Sequence, residues 1–207
     1  MLTGLTIKDF ISKVISNDPV PGGGSVSALN GALAAALSAM VANLTVGRKK
    51  YAEVNDLMQE LSTRFEKLSQ KLIEDVDRDS DAYNRVFAAF KLPKETDEEK
   101  QLRSEAIQKE TKYAAQVPME VARAVYEVLP QIDAIAQKGN SNAVTDACVS
   151  MMCARTAILG ALLNARINLT SIKDEAFVNA MREEADTIEA HTILQEQALL
   201  DYARTIL

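Results

Sequence analysis

Apolar residues recur at helical spacing along almost the whole chain, and no stretch alternates apolar and polar positions under β-branched enrichment. Ile7, Phe10, Ile11, Val14 and Ile15 share one face of a first helix, with Thr6 as its N-cap. The run "NDPVPGGG" ends that helix. A second helix is predicted from Ser25, a good N-cap, to about Val46, with Gly47 closing it. A third runs from about residue 52 to 90 on the stripe Leu61, Phe65, Leu68, Leu72, Val76, Tyr83, Val86 and Phe90. Pro93 interrupts the pattern, and Thr96 with Glu99 makes a capping box for a fourth helix. That helix is expected to reach Gln116 and re-set at Pro118; the next runs to Lys138, kinked at Pro130 and closed by Gly139. Two more follow, at about 142–169 and 174–206. The pattern predicts an all-α fold, one helical bundle of long helices forming a single domain over residues 1–207.

Charge is distributed unevenly over these elements. Nothing between Asp18 and Arg48 is charged, and the 142–169 segment carries only Asp146, Arg155 and Arg166. The first of these stretches is long enough to cross a membrane, but it is mostly alanine and includes Asn30 and Asn43, so a buried helix of a bundle fits it better. Its small residues fall in rows, Ala28, Ala32, Ala36 and Gly31, Ala35, Ala39, which let helix backbones approach closely. Two low-charge helices in 207 residues are more than one small core needs, so one of them is expected to pack on a second copy, as a two-fold homodimer. The net charge of -6 argues against nucleic acid and anionic membranes as partners. The opening "MLTGLTIKDF" has no basic region followed by an apolar run, and Cys148 and Cys153 form no CxxC pair, so a reduced, cytoplasmic protein is expected. His191 is the only histidine, which leaves little for a His-based metal site or Ser-His catalysis; neither metal nor cofactor is expected.

Four groups of residues are candidates for chemistry. Gly22, Gly23, Gly24 and Ser25 open a helix, where free backbone N–H groups meet anions and glycine lets a ligand approach the main chain. The same loop also reads as a plain corner between helices. Arg48, Lys49, Lys50 and Tyr51 follow the second helix and either complement its C-terminal dipole or hold substrate carboxylates. Asn140 and Asp146 lie in "KGNSNAVTDACVSMMCAR", which reads as a cap plus a buried Asp146–Arg155 pair or as part of a site. In "DVDRDSDAY", phasing at about 100° per residue puts Asp79 among Leu68, Leu72, Val76, Tyr83, Val86 and Phe90, with Asp77 and Asp81 opposite and Asp75 at the edge. A carboxylate facing a core must be paired, hydrogen-bonded or raised in pKa. Asp79 is therefore an acid/base, the partner of a cation such as Arg155, or the cap of another helix.

Four stretches, "PGGGSVSALNGALAAALSAMVANLTVGRKKY", "DSDAYNRVFAAFKLPKET", "RSEAIQKETKYAAQVPMEVA" and "GNSNAVTDACVSMMCARTAILGALLNARINL", occur in order and cover nearly the whole chain. They resemble the formiminotetrahydrofolate cyclodeaminase / methenyltetrahydrofolate cyclohydrolase family. The resemblance implies an all-helical dimer with a folate site between subunits, lined by the glycine loop. It implies that the aspartate of a D-x-x-A-Y/F motif, here Asp79, is catalytic; Tyr83, one turn on, is expected to orient it. It also implies the stand-alone form, for which a separate formiminotransferase is a conceivable partner.

The expected substrate is a small folate, and two reactions meet at 5,10-methenyltetrahydrofolate. A cyclodeaminase makes it from 5-formiminotetrahydrofolate with loss of ammonia, as in histidine degradation. A cyclohydrolase opens it to 10-formyltetrahydrofolate. The competing expectation from another class is a non-catalytic helical dimer that binds a partner, with Asp79 fully ion-paired.

Overall fold

The computed structural model describes residues 1–207 as seven α-helices without a strand. They are α1 (Ile7–Ile15), α2 (Gly23–Asn43), α3 (Asn55–Phe90), α4 (Asp97–Tyr126), α5 (Leu129–Lys138), α6 (Val144–Leu169) and α7 (Glu175–Ile206). The all-α reading holds. α2 and α6 form the centre: α2 packs on α3 and α6, and α6 in turn meets α4, α5 and α7. Both central helices are long and apolar enough to cross a membrane, yet they supply much of the buried core of this bundle.

Small residues bring these helices together. A Cβ on Gly31 would come within 3.0 Å of Val125 and 3.1 Å of Leu72, and one on Gly160 would overlap the Ser27 hydroxyl. The serines of the neutral segment are satisfied inside the bundle. Ser38 and Ser150 share a hydrogen bond of 2.8 Å, and Ser150 donates to the Ala34 carbonyl at 2.7 Å. Ser27 donates to the Gly23 carbonyl at 2.7 Å.

Several boundaries differ from the sequence pattern. α2 begins at Gly23 with Gly22 as N-cap, two residues before the expected Ser25. It ends at Asn43, and Gly47 adopts φ +75 in the turn beyond. Residues Lys49–Val54 form a 3-10 turn before α3. α4 runs straight through Pro118, whose ring replaces a single helix hydrogen bond while Val117, Pro118 and Met119 are buried by tertiary packing. Pro130 does not kink a helix; it stands in the first turn of α5, where a missing N–H costs nothing. The capping box at Thr96 and Glu99 forms as expected.

α1 does not bury its apolar stripe. Ile7 and Ile15 are 82% and 78% exposed, and only Phe10 packs on the core. The acidic run of α3 also sorts differently. Asp75, expected at the edge, is 3% exposed and sits between Lys71 Nζ at 2.5 Å and Arg78 Nη1 at 3.3 Å. Asp77 accepts from the Leu2 backbone N–H and the Thr3 hydroxyl, tying the N-terminal turn to α3. Burial pushes the Asp77 carboxyl up, but those hydrogen bonds hold it below the usual carboxylate range. Asp75 is structural by this geometry. Asp75→Asn should lower stability by about 1.5–3 kcal/mol, the scale of hydrogen bonds to charged groups, because Lys71 and Arg78 reach solvent and are not stranded in the core, while turnover is kept. Thermal melts and an activity assay on the same sample check this.

Candidate functional site

The N-terminus of α2 meets α3 at Asp79. Ser25, fully buried, donates its hydroxyl to Asp79 Oδ2 at 3.0 Å. The Ser80 hydroxyl lies 3.0 Å from Ser25 Oγ. With the Ser25 proton committed to the carboxylate, Ser80 is the donor in that second bond, so the chain runs Ser80 to Ser25 to Asp79. Burial pushes the Asp79 carboxyl above its ordinary value; hydrogen bonding from the Ser25 side chain and backbone pulls the other way and does not cancel it.

No cation faces Asp79. Arg155, the expected partner, has its Nε 2.8 Å from Glu196 on α7. Arg78, its neighbour in sequence, is turned to Asp75 and Glu120. A partly buried carboxylate without a counter-charge favours its protonated form more than an exposed one.

Gly24 is what lets α2 come this close. A Cβ there would lie 2.6 Å from Asp79 Oδ2 and closer still to Oδ1. Gly23 is exposed, and a Cβ on it would meet Asn164 Nδ2 at 3.0 Å. Gly22 caps α2 with no side-chain hydrogen bond; of the first N–H groups of α2, that of Ser25 is turned to Asp79, while those of Gly23 and Gly24 have no partner within the helix. Asn164 is absent from the candidates that the sequence suggests. Its signal is an amide near the end of an otherwise apolar helix, a polar group that needs a reason to be there.

Tyr83 does not orient Asp79. It is 40% exposed and makes no hydrogen bond to the carboxylate; its ring stacks on Phe87, centroids 6.3 Å apart. Phasing places Tyr83 in the core only if α3 is covered along its whole length. In this last third α4 packs on Ala82 and Val86, on the other side of the helix from the exposed Tyr83 ring.

The remaining candidates assemble elsewhere. The Tyr51 hydroxyl accepts the Ser141 N–H at 2.9 Å and lies 3.1 Å from Ser141 Oγ, and Lys50 Nζ donates to the same Oγ at 3.3 Å. The Ser141 hydroxyl and N–H, with Lys50 adding its charge, pull the Tyr51 phenol down to about 8. Asn140 is buried and its side chain is used internally: it donates to the Leu44 carbonyl at 3.2 Å and accepts from the Asn142 N–H at 3.1 Å. Its own N–H goes to Thr45 Oγ1 at 2.8 Å. Arg48 and Lys49 are exposed beside this cluster. Asp146 is partly buried on α6, and the expected Asp146–Arg155 pair is not formed. α2 separates this cluster from the Asp79 site, and its length at about 1.5 Å rise per residue puts them roughly 30 Å apart within one chain.

Residues 6–187 match the family described as formiminotransferase-cyclodeaminase. The chain belongs to this family. Among its relatives is the methenyltetrahydrofolate cyclohydrolase of Methylorubrum extorquens, 37% identical over 185 residues that cover 89% of each chain. The formimidoyltransferase-cyclodeaminase of Rattus norvegicus is 33% identical over 187 residues, 90% of this chain but 35% of that protein. A family member of known structure, formiminotetrahydrofolate cyclodeaminase from Thermotoga maritima, superposes with a TM-score of 0.88 at 30% identity, covering 100% of this chain and 99% of that one. The chain therefore spans the family's helical unit and about a third of the rat protein.

Proposed function

We propose that the protein is a folate one-carbon enzyme that forms 5,10-methenyltetrahydrofolate from 5-formiminotetrahydrofolate with release of ammonia. The observation that carries this is Asp79, a carboxyl without a counter-charge, raised in pKa and placed at the N-terminus of α2. In the reaction N10 attacks the formimino carbon, the imine nitrogen takes up two protons, one from N10 and one from the Asp79 carboxyl, and the remaining C–N bond breaks to release ammonia. A carboxyl that readily holds a proton suits that transfer, and a positioned acid/base contributes typically ~10²–10⁴-fold. The methenyl product is cationic, and ionised Asp79 offsets that charge once the proton has gone. Holding N10 against the carbon adds a proximity contribution. Neither a metal nor a redox cofactor is called for by this chemistry.

The second reading is the cyclohydrolase, in which water attacks the methenyl carbon and Asp79 takes its proton. The 37% identity to the Methylorubrum enzyme over matching lengths favours it. One experiment separates the two: the purified protein is supplied with each folate, and ammonia release and methenyl absorbance are followed independently. Ammonia release from the formimino compound supports the first reading. Loss of methenyl absorbance without it supports the second, and neither signal removes both.

The Lys50–Tyr51–Ser141 cluster takes part in the same site only if a second copy brings it there. Exposed apolar residues on the two central helices favour such a copy: Leu33 and Met40 on α2, and Leu163 and Ile167 on α6, are 50%, 38%, 64% and 67% exposed. A homodimer is expected by light scattering at micromolar concentration. Mixing inactive Asp79→Asn with inactive Tyr51→Phe should then restore activity, because one mixed dimer holds one intact site. Each variant being inactive alone and no recovery on mixing would place the two groups in separate functions.

A further inference from the structure

Beyond the glycine loop, the last third of α3 carries a row of side chains that the bundle does not use. Asp79, Tyr83, Phe87 and Lys91 are spaced four apart, so each stands one turn above the last and about 40° further round, on a ridge that winds slowly about the helix. Tyr83 and Phe87 are 40% and 49% exposed, near-parallel at 13°, and Lys91 Nζ lies 4.2 Å from the Phe87 ring centroid. α4 covers the adjoining side of this segment through Ala82 and Val86, while Tyr83 and Phe87 are left part-exposed. Lys91 and Lys94 form no ion pair, in contrast to Arg78 and Arg85, which pair with Glu120 and Glu110 along the α3–α4 seam.

We propose that this row is the track on which the substrate lies: Tyr83 and Phe87 pack against its flat aryl portion and Lys91 meets its anionic tail. The inference rests on the folate reading, and it assigns the part of the site that this reading leaves open. A flat conjugated ring gains from aromatic side chains at its faces and edges. The row begins at the carboxylate that handles the proton and ends at an unpaired ammonium, so its polarity matches a ligand with a reactive ring system at one end and carboxylates at the other. Lys91 about 18 Å along the helix from Asp79 gives the track an extended molecule's length. The cation also fits the occupant better than a neutral apolar partner, which would leave Lys91 buried and unpaired.

The test uses Phe87→Ala, Phe87→Tyr and Lys91→Ala in the full chain, with circular dichroism and melting curves to establish that each folds. Phe87→Ala should raise KM by about tenfold or more, with kcat changed far less, and Phe87→Tyr should restore it. Lys91→Ala should raise KM and flatten its increase with salt, because the screened attraction has been removed. Wild-type turnover with an unchanged KM in Phe87→Ala would overturn the track and leave the folate reading standing. A change of molar mass in Phe87→Ala would overturn it too, with a second copy as the occupant. If wild type turns over neither folate, calorimetric titration with tetrahydrofolate decides: at least tenfold weaker binding by Phe87→Ala upholds the track, and equal or absent binding overturns it.

Discussion

Asp79→Asn should lose two to four orders of magnitude in turnover while folding at least as well as the parent. The rate loss is the usual size for removing a positioned acid/base, ~10²–10⁴-fold. The stability outcome follows from the missing cation. An ion-paired buried carboxylate leaves its partner stranded when it becomes an amide, at a cost of typically ~3–5 kcal/mol. Asp79 has no such partner, and the amide can still accept the Ser25 hydroxyl.

The pH dependence has a definite sign. The folded-state pKa of Asp79 is raised by burial, so the folded protein holds this proton more tightly than the unfolded chain does. The stabilisation is present below the unfolded value, about 3.9 for an aspartate, and is lost as pH rises through the higher folded value. At neutral pH the ionised carboxylate is therefore a burden that the amide removes. Melting temperatures of parent and variant, taken at several pH values, should diverge in the variant's favour from acid toward neutral. A variant that melts far below the parent at neutral pH would show that an ion pair holds Asp79 in the folded protein. A stable variant with near-normal turnover would move the chemistry to the Tyr51 cluster.

The fold is readable because α1, α3 and α7 carry a helical stripe, while the two neutral helices, apolar all round, stand out as the centre. Periodicity says which residues share a face but not whether that face is covered. This is why α1, with the plainest stripe in the chain, leaves Ile7 and Ile15 in solvent, and why Tyr83 and Phe90 lie outside the core. It also misjudges the acidic run, since Asp75 is buried by virtue of Lys71 and Arg78 rather than by its angular position. Local preference makes Pro118 a boundary, and packing on both sides of it overrides that preference. Of the site, the carboxylate and the glycine loop can be found in the sequence. Their mutual contact cannot, because residues 24 and 79 meet only through the antiparallel packing of α2 on α3. Nor does any sequence pattern reveal that the Tyr51 cluster stands at the far end of α2.

Gly24→Ala is expected to lower turnover by at least about 100-fold with little loss of stability, and the reason lies in that contact. A methyl group at position 24 would occupy the space of the Asp79 carboxylate, 2.6 Å from Oδ2. A helix backbone does not yield easily, so the carboxylate must rotate away from Ser25 toward solvent. Freed from burial, Asp79 returns toward an ordinary carboxylate pKa and leaves the place where the proton is needed. The helix itself gains, since alanine in place of glycine is worth roughly 0.5–1 kcal/mol in a helix interior, which offsets part of the displacement. Gly23→Ala is a milder neighbour, because its Cβ meets only the Asn164 amide at 3.0 Å, a side chain with room to turn. The mechanism can be separated from simple obstruction of a ligand by a double-mutant cycle. If Gly24 acts by leaving space for the carboxylate, Gly24→Ala should cost almost nothing more in turnover once Asp79 is already asparagine, because the two changes remove the same function. If instead the glycine is there so that a ligand can reach the backbone, the two losses should add, and the rise in KM should appear in both backgrounds. Additive losses would therefore rule out Gly24 as the residue that makes room for the carboxylate and return the loop to the role of a ligand contact.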